Sequence, residues 1–370
     1  MIFVKESPKI AVCGCGSAGT AIASDLSLMG CKVNLFELES YRKKNVEPIL
    51  ERGGIEVTGE TQSGKTGLAE LNVVTTDAEE AIKGTDLIMI TVPAYAHEVF
   101  FTAIAPHLEE GQSILTNTGY FASLRFAGML KRKEAFEKIT LAEANIMPYI
   151  SVKQEATKVH IQRVKRHLSL STFPAEKTDK VIRLVKRVYP QHEKVPNVLW
   201  TNFAPGNTPV HATFAIPIAS YYFDRNRGGK FYGEATTCGA RLVYAFDKER
   251  LKIAEELGCR VDTEEKWFEK TYGYKGKDLA DALRKSDHAE EWTSSAFIES
   301  VIREDILHFY VPLVEFGELL GIATPTTKSI IEVLGIMLGI NYWEKGITLK
   351  DLGLAGMNRE RIIKYVTTGK

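Results

Sequence analysis

Two groups of residues carry types and spacings that chemistry needs. The first is Gly14-Cys15-Gly16-Ser17-Ala18-Gly19, a Gly-x-Gly-x-x-Gly run directly behind the short apolar stretch Lys9–Cys13. In such a run Gly14 permits a tight turn, Gly16 lets a pyrophosphate approach the backbone, and Gly19 lets a helix pack closely on its strand. Cys15, Ser17 and Ala18 complete the loop, and the N–H groups that open the helix face the phosphates with its positive dipole end. An acid, Glu37, closes the next strand, Lys32–Phe36. Its carboxylate would accept from the adenosine ribose hydroxyls and repel a 2′-phosphate. That favours NAD over NADP, with Arg42, Lys43 and Lys44 just downstream as the opposing signal.

The second group lies in the C-terminal half. His211 belongs to Asn207-Thr208-Pro209-Val210-His211, where Thr208 reads as an N-cap and Pro209 as the first helical residue. Asp305 sits on a helical pattern whose face it shares with Ile298, Val301 and Phe309. An unpaired carboxylate on an apolar face costs several kcal/mol, so Asp305 requires a partner. A His211–Asp305 dyad satisfies it; a structural histidine and an unrelated buried acid pair fit the same pattern.

A third run, Gly59-Glu-Thr-Gln-Ser-Gly-Lys65-Thr66, matches the phosphate-loop pattern G-x-x-x-x-G-K-[ST] letter for letter. A working P-loop needs a helix beginning at the lysine. Here Gly67 follows, with strand-like Asn72–Thr75 a few residues on. The spacing predicts a turn-rich hairpin and no ATP site.

The elements that must position these residues fall into two halves. Ala18, Ile22, Leu26 and Met29 recur at helical spacing, and Gly30 supplies the stop. Asp86–Val92 is a continuous apolar run suited to a parallel strand buried on both faces. Ser113–Thr116 is another strand, so Val92, Pro93 and Asn117 fall at strand ends, where doubly wound sheets bind ligands. Leu141–Ile150 reads as one further strand, and Val159–Ser171, with its basic run, as an edge strand or hairpin. Pro190–Pro196 is the best linker, and beyond it the pattern turns helical. Leu242, Phe246, Ile253 and Leu257 mark one helix, and Thr324-Pro325 opens another. The expected architecture is α/β: a Rossmann-type doubly wound parallel sheet over residues 1–190, a linker at 191–196, and an all-helical domain over 197–370.

A chain of 370 residues outgrows a single core, which agrees with two domains. Forty-seven basic and 47 acidic side chains give zero net charge, which argues against a nucleic-acid or membrane-surface partner. Residues 1–8 lack a signal-peptide core, and the most apolar run, Ile330–Ile340, is broken by Glu332 and Gly335. Five cysteines, three of them in the first βαβ unit, read as free thiols in a reducing cytoplasm. No metal site is expected.

At these residues the sequence resembles the octopine/nopaline (opine) dehydrogenase family, nearly end to end. The likeness includes Gly14–Gly19, Asp86–Ala94, Asn197-Val-Leu199, Asn207–His211, Asp247-Lys-Glu-Arg250, Trp267–Gly273, Arg303-Glu-Asp305, Val311–Val314, Lys345–Leu349 and Leu352–Leu354. The resemblance implies an L-amino acid and an α-keto acid as small-molecule partners, joined as an imine that a nicotinamide hydride reduces. It implies His211 as general acid/base and Asp305 as its partner. The family pattern has an arginine five residues before that aspartate; Ser300 stands there, which makes Arg303 the expected carboxylate ligand, with Asn207 beside it. Thr118-Gly-Tyr-Phe121 replaces a more glycine-rich loop, and Ile306-Leu307 replaces the usual proline. A ketopantoate-reductase-like or glycerol-phosphate-dehydrogenase-like enzyme and a nicotinamide-binding sensor are the alternatives. The assembly is left open, a homodimer among the candidates.

Overall fold

The computed structural model describes residues 7–131, 135–204, 206–223 and 228–370. Residues 1–6, read above as lacking a targeting segment, lie outside them. The chain divides into two compact units: residues up to Val198 together with Thr367–Gly369, and Leu199–Val366 with Lys370.

Among the described residues the first unit holds twelve strands: β1 Lys9–Cys13, β2 Lys32–Phe36, β3 Ile55–Gly59, β4 Gly67–Ala69, β5 Val73–Thr75, β6 Leu87–Ile90, β7 Ser113–Asn117, β8 Thr140–Ala144, β9 Tyr149–Glu155, β10 Lys158–Val164, β11 Leu168–Phe173 and β12 His192–Lys194. Eight of them form one sheet in the order β12-β11-β8-β7-β6-β1-β2-β5. Every neighbouring pair in it is parallel except β11 with β8. β6, β7 and β8 are buried at every position, as parallel strands covered on both faces must be. Sequence and structure therefore agree on a Rossmann-type sheet.

A second sheet, ordered β4-β3-β10-β9, was not foreseen. It corrects two strand readings. Leu141–Ile150 is two strands, β8 and β9, in different sheets, because Pro148 cannot donate to a ladder and the chain turns there. Val159–Ser171 likewise splits into β10 and β11, one in each sheet. The 191–196 linker is also corrected, since its middle is β12, paired parallel to β11 at the sheet edge. Prolines 190 and 196 bracket an edge strand here rather than a break between domains.

The phosphate-loop lookalike joins β3 to β4, an antiparallel hairpin. The N–H groups of Gln62 and Ser63 donate to the Asp25 carboxylate at 2.7 and 3.2 Å, and the Lys65 ammonium donates to the Leu28 carbonyl. An internal carboxylate therefore occupies backbone donors that a P-loop would offer to a nucleotide.

In the second unit the described residues are almost entirely helical. The helix Thr237–Glu256 ends before Gly258, whose φ of +79° favours glycine. Its Asp247 and Arg250 form a buried pair that also ties down the Phe203 and Asp262 carbonyls and the Glu264 N–H. Glu249 accepts from the Thr326 and Thr327 N–H groups at 2.7 and 2.9 Å, capping the helix Pro325–Leu338 at its positive end. The Asp247–Arg250 motif thus serves packing. Among the described residues no helix is long and apolar enough to cross a membrane.

Candidate functional site

In the first unit, β1 runs into Gly14 and the helix Ser17–Leu28 starts behind Gly16, with no side chain among the described residues capping its first N–H groups. A Cβ on Gly14, at φ +107°, would sit 2.3 Å from Val92 Cγ1, and one on Gly19 would sit 1.9 Å from the Gly14 carbonyl oxygen. A Cβ on Gly16 would meet nothing within 4 Å. Turn, close packing and open approach therefore fall on Gly14, Gly19 and Gly16 respectively. Gly16 opens onto a cleft of about 580 Å³ that is also lined by Cys15, Ser17, Glu37, Val92 and Pro93. An uncapped helix end, a glycine cradle and a cleft of this size fit a dinucleotide with its phosphates at the loop.

Glu37 is 5% exposed and accepts from the Cys15 N–H at 3.1 Å, the Leu38 N–H at 2.9 Å and the Asn45 amide at 3.0 Å. Glu37 braces the glycine loop as well as closing β2, a role its sequence position did not announce. Arg42, the opposing signal for a 2′-phosphate, is held between Glu39 and Glu47 at 3.5 and 3.6 Å. Ala18 lies half-buried in the first helical turn. Asn117 ends β7 fully buried, and its side-chain amide has no hydrogen-bond partner among the described residues.

In the second unit, His211 stands in the first turn of the helix Thr208–Tyr222. The N-cap is Asn207, one residue earlier than the sequence suggested, and its carbonyl accepts the His211 N–H at 3.1 Å. Asp305 is the last residue of the helix Ser295–Asp305 and 1% exposed. A π-helical turn, Ile306–Tyr310, follows at once, with the Val311 N–H bonded to the Ile306 carbonyl. Pro312 explains the widened turn, because its ring clashes with the carbonyl four residues back and offers no N–H.

His211 Nδ1 lies 2.9 Å from Asp305 Oδ2, so the apolar-face argument and the structure meet. On the other side of the ring, Nε2 lies 3.0 Å from the Tyr232 hydroxyl. A carboxylate only accepts, so Nδ1–H donates to Asp305 and leaves Nε2 facing Tyr232. Burial, reinforced by Tyr272 and the carboxylates of Glu291 and Asp305, pushes the Tyr232 phenol well above its usual range and keeps it an O–H donor. Tyr232 is set by a backbone bridge between Gly229 and Thr293 and by Phe231, which packs edge-on against Tyr222. Sequence reasoning missed it, because Gly228-Gly-Lys-Phe-Tyr232 has turn chemistry but no periodicity to mark a side chain.

Two expected substrate contacts stand differently. Asn207 Oδ1 accepts from the Tyr272 hydroxyl at 3.2 Å. Arg303 has a half-exposed guanidinium paired with Glu299 at 2.8 Å. Two residues along a helix turn the side chain about 160° from Asp305, and no local distortion offsets that. Among the described residues no group of three or more His, Cys, Asp and Glu is placed to hold a metal ion. All five cysteines are free, and burial pushes the Cys13 thiol up to about 12.

Comparison with known proteins extends this geometry. Residues 194–338 match the family model of the NAD/NADP octopine/nopaline dehydrogenase α-helical domain, and residues 10–118 match ketopantoate reductase PanE/ApbA. The chain is 27% identical to an opine dehydrogenase of Arthrobacter sp. over 95% of its own length and 97% of the relative's. It is 23% identical to a vitopine synthase of Allorhizobium ampelinum, over 96% and 98%. Its fold matches an octopine dehydrogenase solved with NADH and agmatine, with a TM-score of 0.75 at 18% identity over 98% of both chains. The helical half of this chain is therefore similar to the octopine/nopaline dehydrogenase α-helical domain, and the chain is similar to an opine dehydrogenase over nearly its whole length.

Proposed function

We propose that the chain is an NAD-dependent opine-type dehydrogenase. It condenses the amino group of an L-amino acid, or another amine, with an α-keto acid, and reduces the resulting imine; the reverse oxidation follows the same path. The observation that carries this reading is the His211–Asp305 pair at 2.9 Å, buried in the helical unit whose family match is to octopine/nopaline dehydrogenases.

The glycine loop and the first N–H groups of the helix Ser17–Leu28 would hold the dinucleotide phosphates, and Glu37 the adenosine ribose. When bound, the nicotinamide supplies a hydride to the imine carbon. His211 Nε2 takes the proton released as the amine attacks the keto carbon, and returns it to the hydroxyl that leaves as water. Asp305 holds the imidazole in the matching tautomer and offsets the charge that develops on it. Tyr232 fixes the direction of Nε2 until substrate arrives. NAD is favoured over NADP because Glu37 closes β2 and Arg42 is already paired. A relative, octopine dehydrogenase, is solved with NADH, while yersinopine dehydrogenase is solved with NADP+. Five free thiols, four of them buried, support a reducing cytoplasm.

Incubating the protein with NADH and a matrix of amines and α-keto acids tests the reading. Oxidation only when both organic partners are present supports it. Oxidation with a keto acid alone makes the protein a simple keto-acid reductase, the reading that the ketopantoate reductase match over residues 10–118 favours. Tight NADH binding without turnover for any pair makes it a sensor.

A further inference from the structure

Lys153 lies in β9, in the second sheet, yet it reaches the glycine loop of the first. Its ammonium donates to the Cys15 carbonyl at 2.7 Å and to Asn45 Oδ1 at 3.0 Å. The placement is built by backbone: the Lys153 N–H donates to Ser17 Oγ at 3.1 Å, and Ser151 Oγ donates to the Ser17 carbonyl at 3.2 Å. β9 is thereby stitched to the first turn of the helix Ser17–Leu28, and Lys153 lines the same cleft as Gly16.

Both acceptors of this ammonium are neutral. Among the described residues no carboxylate lies within ion-pair distance of it. Glu37, which acts on it through space, already accepts from Cys15, Leu38 and Asn45. Lys44 adds a second positive charge to the cleft. Burial pulls the Lys153 ammonium below the usual lysine range, so holding it charged here costs free energy. An ammonium has three donors, and two are spent. A half-buried cation with one free donor, a second cation for company and an uncapped helix end beside it lacks an anion.

We propose that Lys153 pairs with a phosphate of the bound dinucleotide, so that the second sheet supplies a cofactor-binding residue to the Rossmann loop. The inference rests on the dinucleotide reading of that loop. Two phosphates share the chemistry: the pyrophosphate, and the 2′-phosphate that distinguishes NADP.

The test measures binding by calorimetry for adenosine, ADP-ribose, NADH and NADPH. It compares the unchanged protein with Lys153→Gln, which keeps a donor for Cys15 but loses the charge, and with Lys153→Arg, which keeps the charge. Thermal melts confirm that each variant folds. Lys153→Gln is expected to weaken ADP-ribose, NADH and NADPH by roughly 10- to 100-fold, the worth of a hydrogen bond between charged groups, while adenosine stays within about twofold. Lys153→Arg recovers most of that loss, and added salt narrows the difference. That pattern assigns Lys153 to the pyrophosphate; a loss confined to NADPH assigns it to the 2′-phosphate. Unchanged binding of all the phosphate-bearing ligands, or an equal loss for adenosine, overturns the proposal. If the unchanged protein binds neither dinucleotide, the nucleotide reading itself fails, and this inference fails with it.

Discussion

Replacing Asp305 with asparagine changes one atom in a buried contact and leaves the side-chain shape alone. The carboxylate oxygen it alters lies 2.9 Å from His211 Nδ1, in a site where Asp305 is 1% exposed. An amide can present oxygen to Nδ1–H and lose the charge, or present N–H₂ and force the proton onto Nε2, against the Tyr232 hydroxyl. Either way, the imidazolium that forms as His211 takes a proton loses its counter-charge. Removing one partner of a buried, hydrogen-bonded charge pair costs about 3–5 kcal/mol. At about 1.4 kcal/mol per decade of rate, that is roughly 10²- to 10⁴-fold in turnover. The assay follows NADH oxidation at saturating amine and keto acid, with NADH affinity read separately by fluorescence titration and expected to hold. His211→Ala should cost a similar factor, and the double variant should be scarcely worse than His211→Ala alone, because residues acting as one unit are not additive. Turnover of Asp305→Asn within about threefold of the unchanged protein, or losses that multiply fully in the double variant, would refute the pairing.

Three further outcomes follow from the same geometry. Tyr232→Phe removes one hydrogen bond to Nε2, worth about 0.5–1.5 kcal/mol, so turnover should fall roughly 2- to 10-fold with NADH affinity unchanged; steady-state kinetics decides it. Glu37→Ser should narrow the NADH-over-NADPH preference in calorimetry, and should also lower the melting temperature, because the Cys15 and Leu38 N–H groups lose their acceptor. His192 is buried neutral in β12, with its pKa lowered from 6.5 to about 4 by desolvation. The unfolded chain therefore takes up a proton that the folded chain refuses, and stability falls as pH drops from about 6.5 to about 4. The loss approaches about 3 kcal/mol at the low end, and denaturant titrations across that window should show it shrink in His192→Gln.

The parts of the molecule that were legible in the sequence are those fixed by short-range rules. Gly14–Gly19 between an apolar strand and an amphipathic helix could only be a βα turn of this kind, and the glycine geometry agrees in each of its three roles. Asp305 revealed itself by misfit, a carboxylate among Ile298 and Phe309 that had to find a partner. What stayed hidden depends on which distant segments meet. Strand-like patterning marks Leu141–Ile150 and Val159–Ser171 but does not say that each breaks into two strands divided between two sheets. Lys153 gains its place only because β9 docks on the helix Ser17–Leu28, and Tyr232 only because the backbone bridge at Gly229 turns it toward His211. Arg303 is a further case: its residue type suits a carboxylate, and its helical position gives it Glu299 as its partner.

The central claim is that the hydride ends on a carbon newly bonded to nitrogen, and product analysis tests it most directly. The protein is incubated with an amine, an α-keto acid and NADH carrying deuterium at both C4 positions, and the products are read by mass spectrometry. The account predicts a secondary amine whose mass is the two substrates less one water plus one hydrogen and one deuterium, with the deuterium on the former carbonyl carbon. Deuterium recovered in a 2-hydroxy acid, with the amine unchanged, would contradict it.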